Sequence, residues 1–90
     1  MNMTTHATVR CQQRAIPPIL VDLLLQFGSQ ESAPGNARKV FFDKAARRRV
    51  KAYAGPLARA LDEHLDVYAI VAGDDTIVTA GHRTEPIRRN

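Results

Sequence analysis

Residues 17–27, Pro-Pro-Ile-Leu-Val-Asp-Leu-Leu-Leu-Gln-Phe, constrain this chain more than any other segment. Pro17-Pro18 opens a helix where a missing backbone N–H costs nothing. Ile19, Leu20, Val21, Leu23, Leu24, Leu25 and Phe27 then surround only Asp22 and Gln26. Those two are four apart and share one narrow exposed stripe. A helix apolar on every other side has to be enclosed, and Gly28 supplies its stop. In a chain of 90 residues, such a helix is the centre of one modest core. The run is also far short of the roughly 20 residues that a membrane span needs.

The remaining elements are arranged around it. A first helix is expected from Thr5, as N-cap, through Arg14; it ends because Ile16 precedes a proline and is driven out of helical geometry. Ser29 to Asn36 reads as a polar loop, with Pro34-Gly35-Asn36 as its turn. Lys39 to Asp43 reads as a strand whose closing aspartate caps the next helix. In that helix Ala46, Val50, Tyr53 and Leu57 fall within ~60° of one another, which predicts its buried face. Lys44, Arg48 and Lys51 lie opposite, with Arg47 and Arg49 on the flanks. Gly55-Pro56 breaks the helix, and a short one follows with Leu57, Leu61, His64 and Leu65, His64 being expected to pack. Val67–Ala72, the turn at Gly73-Asp74-Asp75, and Thr76–Gly81 form a hairpin, which is expected to bring Tyr68 beside His82. The order is ααβααββ: a single α+β domain over 1–90 with a small, largely antiparallel sheet of about three strands and a basic tail over 83–90.

Composition narrows the function. Thirteen Lys/Arg against nine Asp/Glu give a net charge of +4, which favours an anionic partner such as nucleic acid or an acidic protein. One cysteine, Cys11, cannot form an internal disulfide or a Cys-rich zinc site and fits a reducing cytoplasm. The opening residues lack the charged and apolar blocks of a signal peptide. No dinucleotide fingerprint, phosphate loop or nucleophile elbow is present, and no cofactor, metal or membrane partner is expected. Phe27, Phe41, Phe42, Tyr53 and Tyr68 fall at core-compatible positions rather than on an exposed stacking platform.

The basic helix is the most informative feature. Arg38 to Lys51 holds seven of the thirteen basic residues and one acid, Asp43. Lys44/Arg48 and Arg47/Lys51 are like-charge pairs four apart, each costing ~0.2–0.5 kcal/mol. Lys44 and Arg47 also sit in the first turn, where the helix dipole disfavours cations. A phosphate or an acidic partner would offset both costs; the alternative is a solvated face that keeps the chain soluble. His6, Arg10 and Arg14 are spaced four apart on one face of the first helix. His82 stands where the last strand ends, followed by Arg83, and imidazole is suited to proton transfer near neutral pH.

The string His6-Ala7-x-x-Arg10-x-x-Gln13-Arg14-Ala15-Ile16 resembles the opening of a group of small bacterial proteins similar to the BrnT and RelE toxins. Ile77-Val78-Thr79-Ala80-Gly81-His82-Arg83 matches the closing strand of that group. Ala15 stands where the group carries glycine. The resemblance implies a RelE-like ribonuclease fold and an acidic antitoxin as partner. It implies His6, Arg10, Arg14, Thr79 and His82 as functional positions. Together with the charge pattern, the expectation is a metal-independent endoribonuclease. His82 and His6 would move protons, Arg14 and Arg83 would complete the catalytic group, and Arg10, Lys44, Arg47, Arg48, Lys51 and Thr79 would bind RNA. The alternative is a non-catalytic basic module for nucleic acid or an acidic protein.

Overall fold

A computed structural model describes residues 2–83. The elements are α1 (Thr5–Gln13), α2 (Pro18–Phe27), β1 (Ser29–Ala33), β2 (Ala37–Phe41), α3 (Lys44–Ala54), a 3-10 turn (Gly55–Leu57), α4 (Ala58–Asp62), β3 (Val67–Val71) and β4 (Ile77–His82). The strands form one antiparallel sheet in the order β1-β2-β3-β4. The fold is α+β with four strands in the order ααββααββ, which corrects the three-strand expectation.

The additional strand is β1, read from its composition as loop. Gln30, Glu31 and Ser32 are exposed, so no apolar alternation marks them. The backbone ladder to β2, Ser29 opposite Phe41 through Ala33 opposite Ala37, holds them instead. The turn uses positive φ at Gly35 (75°) and Asn36 (61°), the two residue types that adopt it most readily.

The N-terminus is zipped to the far edge. Ile77 N–H donates to Asn2 C=O (2.9 Å), and Thr4 N–H donates to Ile77 C=O (3.0 Å), giving a parallel bridge at Met3. The N-cap of α1 is therefore Thr4 rather than Thr5, its hydroxyl accepting from Ala7 N–H at 3.0 Å. At the other end, Ala15 N–H donates to Gln12 C=O (3.3 Å) and Ile16 N–H to Cys11 C=O (2.9 Å). These are the paired bonds of a Schellman stop, with Ala15 at φ 52° in its left-handed position.

The sequence pattern of α2 holds in part: Leu20, Val21, Leu23 and Leu24 are buried, with Pro18 in the first turn and Gly28 as C-cap. Ile19 is 55% exposed and Leu25 and Phe27 are half-buried, so the exposed side is wider than the Asp22/Gln26 stripe. Gly28 has no room for a side chain, since a Cβ there would lie 2.4 Å from Leu24 C=O and 2.5 Å from Val40 Cγ1. That close approach sets α2 against β2. Val40, Val67, Ala69, Val71, Ile77 and Ala80 form the inner side of the sheet, packed with Ala7, Cys11 and the buried residues of α2 and α3. Cys11 is a free, buried thiol, and burial pushes its pKa up.

The α3 face is shorter than its angular pattern predicts. Ala46 and Val50 are buried, but Tyr53 and Leu57 are 68% and 67% exposed. The helix outlasts the core that its first half rests on, and Tyr53 contacts only the rim, its ring 5.0 Å from that of Phe27. His64 is likewise exposed rather than packed, its Nε2 lying 3.3 Å from Glu63 Oε1.

Candidate functional site

Asp43 caps α3 as its position predicts, accepting from Ala46 N–H at 2.9 Å. The two flanking arginines then pin the helix down. Arg47 Nη2 lies 2.6 Å from Asp66 Oδ1, and Nη1 lies 3.6 Å from Asp62 Oδ1. Arg49 donates from Nε and Nη2 to Phe27 C=O at 3.2 and 2.8 Å, covering the carbonyl end of α2. Arg38 pairs with Asp75 across the sheet. Lys44, Arg48 and Lys51 are exposed, and none of the three takes part in an ion pair among the described residues. Their spacing of four and three places them on one helix face. The result is a division of labour along α3: flanking guanidiniums fasten the helix, and a row of three cations faces water.

A second cluster forms where β2 and β4 end and β3 begins. His82 pairs in register with Val67, and Tyr68 with Gly81, so Tyr68 is not directly opposite His82 as expected. Alternation along β4 therefore sends His82 and Tyr68 to opposite sides of the sheet. His82 is exposed, and its Nε2 lies 2.6 Å from Arg14 C=O. A carbonyl can only accept, so Nε2 carries the proton and, in the neutral ring, Nδ1 carries the lone pair. One residue on, Arg83 N–H donates to Asp66 C=O (2.7 Å), while the Arg83 guanidinium sits 4.9 Å from the centroid of Phe41. Asp66 thus links Arg47 through its carboxylate and Arg83 through its backbone.

The structure gathers Arg14, Arg47, His82 and Arg83 at this end of the sheet, and Lys44 opens α3 three residues after Phe41. Arg10 and His6 lie one and two turns back along α1, about 6 and 12 Å of helix axis from Arg14. His6 belongs to the end of α1 where Thr4 meets Ile77. Thr79 pairs with Ile70 on the outer side of the sheet. Residues 84–90 of the basic tail lie outside the described residues.

No family model, no curated protein and no solved structure is significantly similar to this chain. Among the described residues no group of three or more His, Cys, Asp or Glu is placed to hold a metal ion, and no helix is long and apolar enough to cross a membrane.

Asp66 and Asp62 are not among the residues that the sequence singles out. The signal for Asp66 lies in the hairpin register: one step beyond Val67 opposite His82 sets it against Arg83.

Proposed function

We propose that this chain is a cytoplasmic, toxin-type endoribonuclease that binds RNA along α3 and cleaves it at the rim formed by Arg14, His82 and Arg83. The observation that carries this reading is the oriented imidazole: His82 Nε2–H is held by Arg14 C=O on an exposed residue, so that Nδ1 is not the nitrogen used in this bond. A base positioned by a fixed acceptor, with arginines at positions 14 and 83 to supply positive charge at the same end of the sheet, is what metal-independent RNA cleavage calls for.

In that reaction His82 Nδ1 takes the proton of a ribose 2′-hydroxyl. The 2′-oxygen bonds to the adjacent phosphorus, the bond to the 5′-oxygen breaks, and water protonates the leaving oxygen. The products are a 2′,3′-cyclic phosphate and a 5′-hydroxyl end. Arg14 and Arg83 offset the charge that builds on the phosphorane, and Lys44, Arg48 and Lys51 hold the flanking phosphates. This reading agrees with the resemblance to RelE-like toxins, for which an acidic antitoxin would cover the same cations. The test is incubation of the protein with single-stranded RNA in EDTA. Cyclic-phosphate ends are expected with the native chain and not with His82→Ala; intact RNA in both would overturn the reading.

A second reading, a binding module without chemistry, is favoured by the exposed row on α3, which needs no imidazole to hold a polyanion. In that case His82→Ala binds RNA as tightly as the native chain and neither cleaves it.

A further inference from the structure

The core lies on one side of the sheet, and the other side carries a pattern of its own. Lys39, Ile70 and Thr79 form one cross-strand row, and Phe41, Tyr68 and Gly81 form the next. None of these six belongs to the cluster that packs α1, α2 and α3 onto the inner side. Tyr68, Lys39, Ile70 and Thr79 are half-buried. Gly81 has a reason to be glycine: a Cβ there would lie 3.0 Å from Tyr68 Cε1 and Oη, so the phenol ring lies across the space a side chain would fill. Lys39 Nζ stands 5.1 Å from the centroid of that ring. Beside it, Phe41 is only 3% exposed, with the Arg83 guanidinium over its face. Of the two aromatics in the row Tyr68 is the less buried, with Lys39 over its ring and Arg83 over the ring of Phe41. Glu31, opposite Lys39 in register, is the one acid in these two rows.

We propose that this outer face is a nucleobase subsite: one base of single-stranded RNA stacks on Tyr68, and Lys39 moves from the ring to the adjoining phosphate. The inference rests on the RNA-binding reading above and adds to it what the strand does beyond its phosphates. A ring held flat by a neighbouring backbone is preordered for stacking, and stacking tolerates any base. The cation–aromatic contact that Lys39 gives up is between two half-buried residues, and a charge-assisted bond to a phosphate offsets its loss. Arg83 stands over Phe41 on this same side, so a strand with a base on Tyr68 runs toward its guanidinium and reaches His82, on the other side, only by turning over the end of the sheet.

The experiment compares two oligomers of equal phosphate number at one salt concentration: a 2′-O-methyl RNA, which lacks the nucleophile and is not cleaved, and its abasic counterpart. The native chain and Tyr68→Phe are expected to prefer the base-bearing oligomer by roughly 5- to 150-fold, the range for one stacked base. Tyr68→Leu is expected to lose that preference while keeping its affinity for the abasic oligomer. Equal binding of both oligomers by the native chain overturns the subsite and leaves the phosphate-binding reading standing. Failure to bind either overturns both. Should Tyr68→Leu not fold, a nucleoside monophosphate titrated into the native chain decides the matter by NMR. Ring-current shifts at Tyr68 and Gly81 support the subsite, and their absence refutes it.

Discussion

His82 and Arg14 join the last described strand to the first helix through one hydrogen bond, 2.6 Å from ring Nε2 to backbone carbonyl. Because the acceptor is main chain at the end of α1, it survives any substitution of the Arg14 side chain. Orientation of the imidazole and the charge of the guanidinium are therefore separable by mutation.

That separation gives the first prediction. Glutamine at position 82 retains an N–H donor for the Arg14 carbonyl but has no titratable nitrogen. His82→Gln should unfold within about 0.5 kcal/mol of the native chain, and His82→Ala about 1 kcal/mol below it, in urea titrations. Both should lose RNA cleavage by on the order of 10²–10⁴-fold. Activity retained by His82→Gln would remove the proton-transfer role.

The exposed row on α3 opposes stability and binding to one another. Replacing Lys44, Arg48 and Lys51 together by glutamate turns the Arg47/Lys51 repulsion into an attraction and places an acid at the helix N-terminus, while positions 44 and 48 stay like-charged. The thermal midpoint should hold or rise. RNA affinity should fall, and the slope of log K against log salt should flatten by about two, given roughly 0.7 for each phosphate that the three cations neutralise on a single strand. An unchanged slope would mean that the row touches no phosphate.

Ala15 occupies a left-handed conformation, φ 52°, at the position where glycine ends helices most readily. Ala15→Gly should raise the unfolding free energy by up to ~1 kcal/mol, measured by urea denaturation. The bonds from Ala15 and Ile16 to Gln12 and Cys11 are unaffected by the change, so destabilisation would contradict the strained geometry.

Gly28 is the opposite case. Its backbone, φ −64° and ψ 149°, suits any residue, yet a Cβ meets Leu24 and Val40 at 2.4 and 2.5 Å. Gly28→Ala should destabilise the chain by about 1–3 kcal/mol or more, since α2 has to withdraw from β2.

Cys11 supplies a pH test. Burial raises its thiol pKa in the folded state, so at alkaline pH the unfolded chain releases its proton first. Folding stability should fall as pH rises through and above the ordinary thiol range, with no contribution from this group at neutral pH. Cys11→Ala should lose that alkaline slope. A thiol reagent at pH 8 should react slowly with the folded chain and rapidly in denaturant.

What could be read from the sequence followed from periodicity and capping. α2 was legible because only Asp22 and Gln26 interrupt its apolar surface, the β3–β4 hairpin because alternation flanks a Gly-Asp-Asp turn, and the start of α3 because Asp43 precedes it. β1 was not, because an edge strand with polar side chains on both faces is held by its backbone alone. The angular arithmetic on α3 gave Ala46 and Val50 their true orientation and failed at Tyr53, because periodicity carries no information on how far the core extends. Within the site, the like-charge pairs marked Lys44, Arg48 and Lys51, whereas the Asp66 link depends on register one residue beyond a strand end. The outer-face position of Tyr68 follows from its pairing with Gly81, which hairpin patterning alone left one residue in error.

The zipper between residues 2–4 and Ile77 also governs when the molecule can close. Thr4 and Val78 are 74 positions apart, so the segment that carries Thr4 has no template until β4 has been made. The helices and the β1–β2 hairpin can assemble early from short-range encounters, but the edge that seats α1 is made last. A nascent chain stalled before position 77 would display the hydrophobic stripe of α1, Ala7 and Cys11 included, to any chaperone or neighbouring polypeptide.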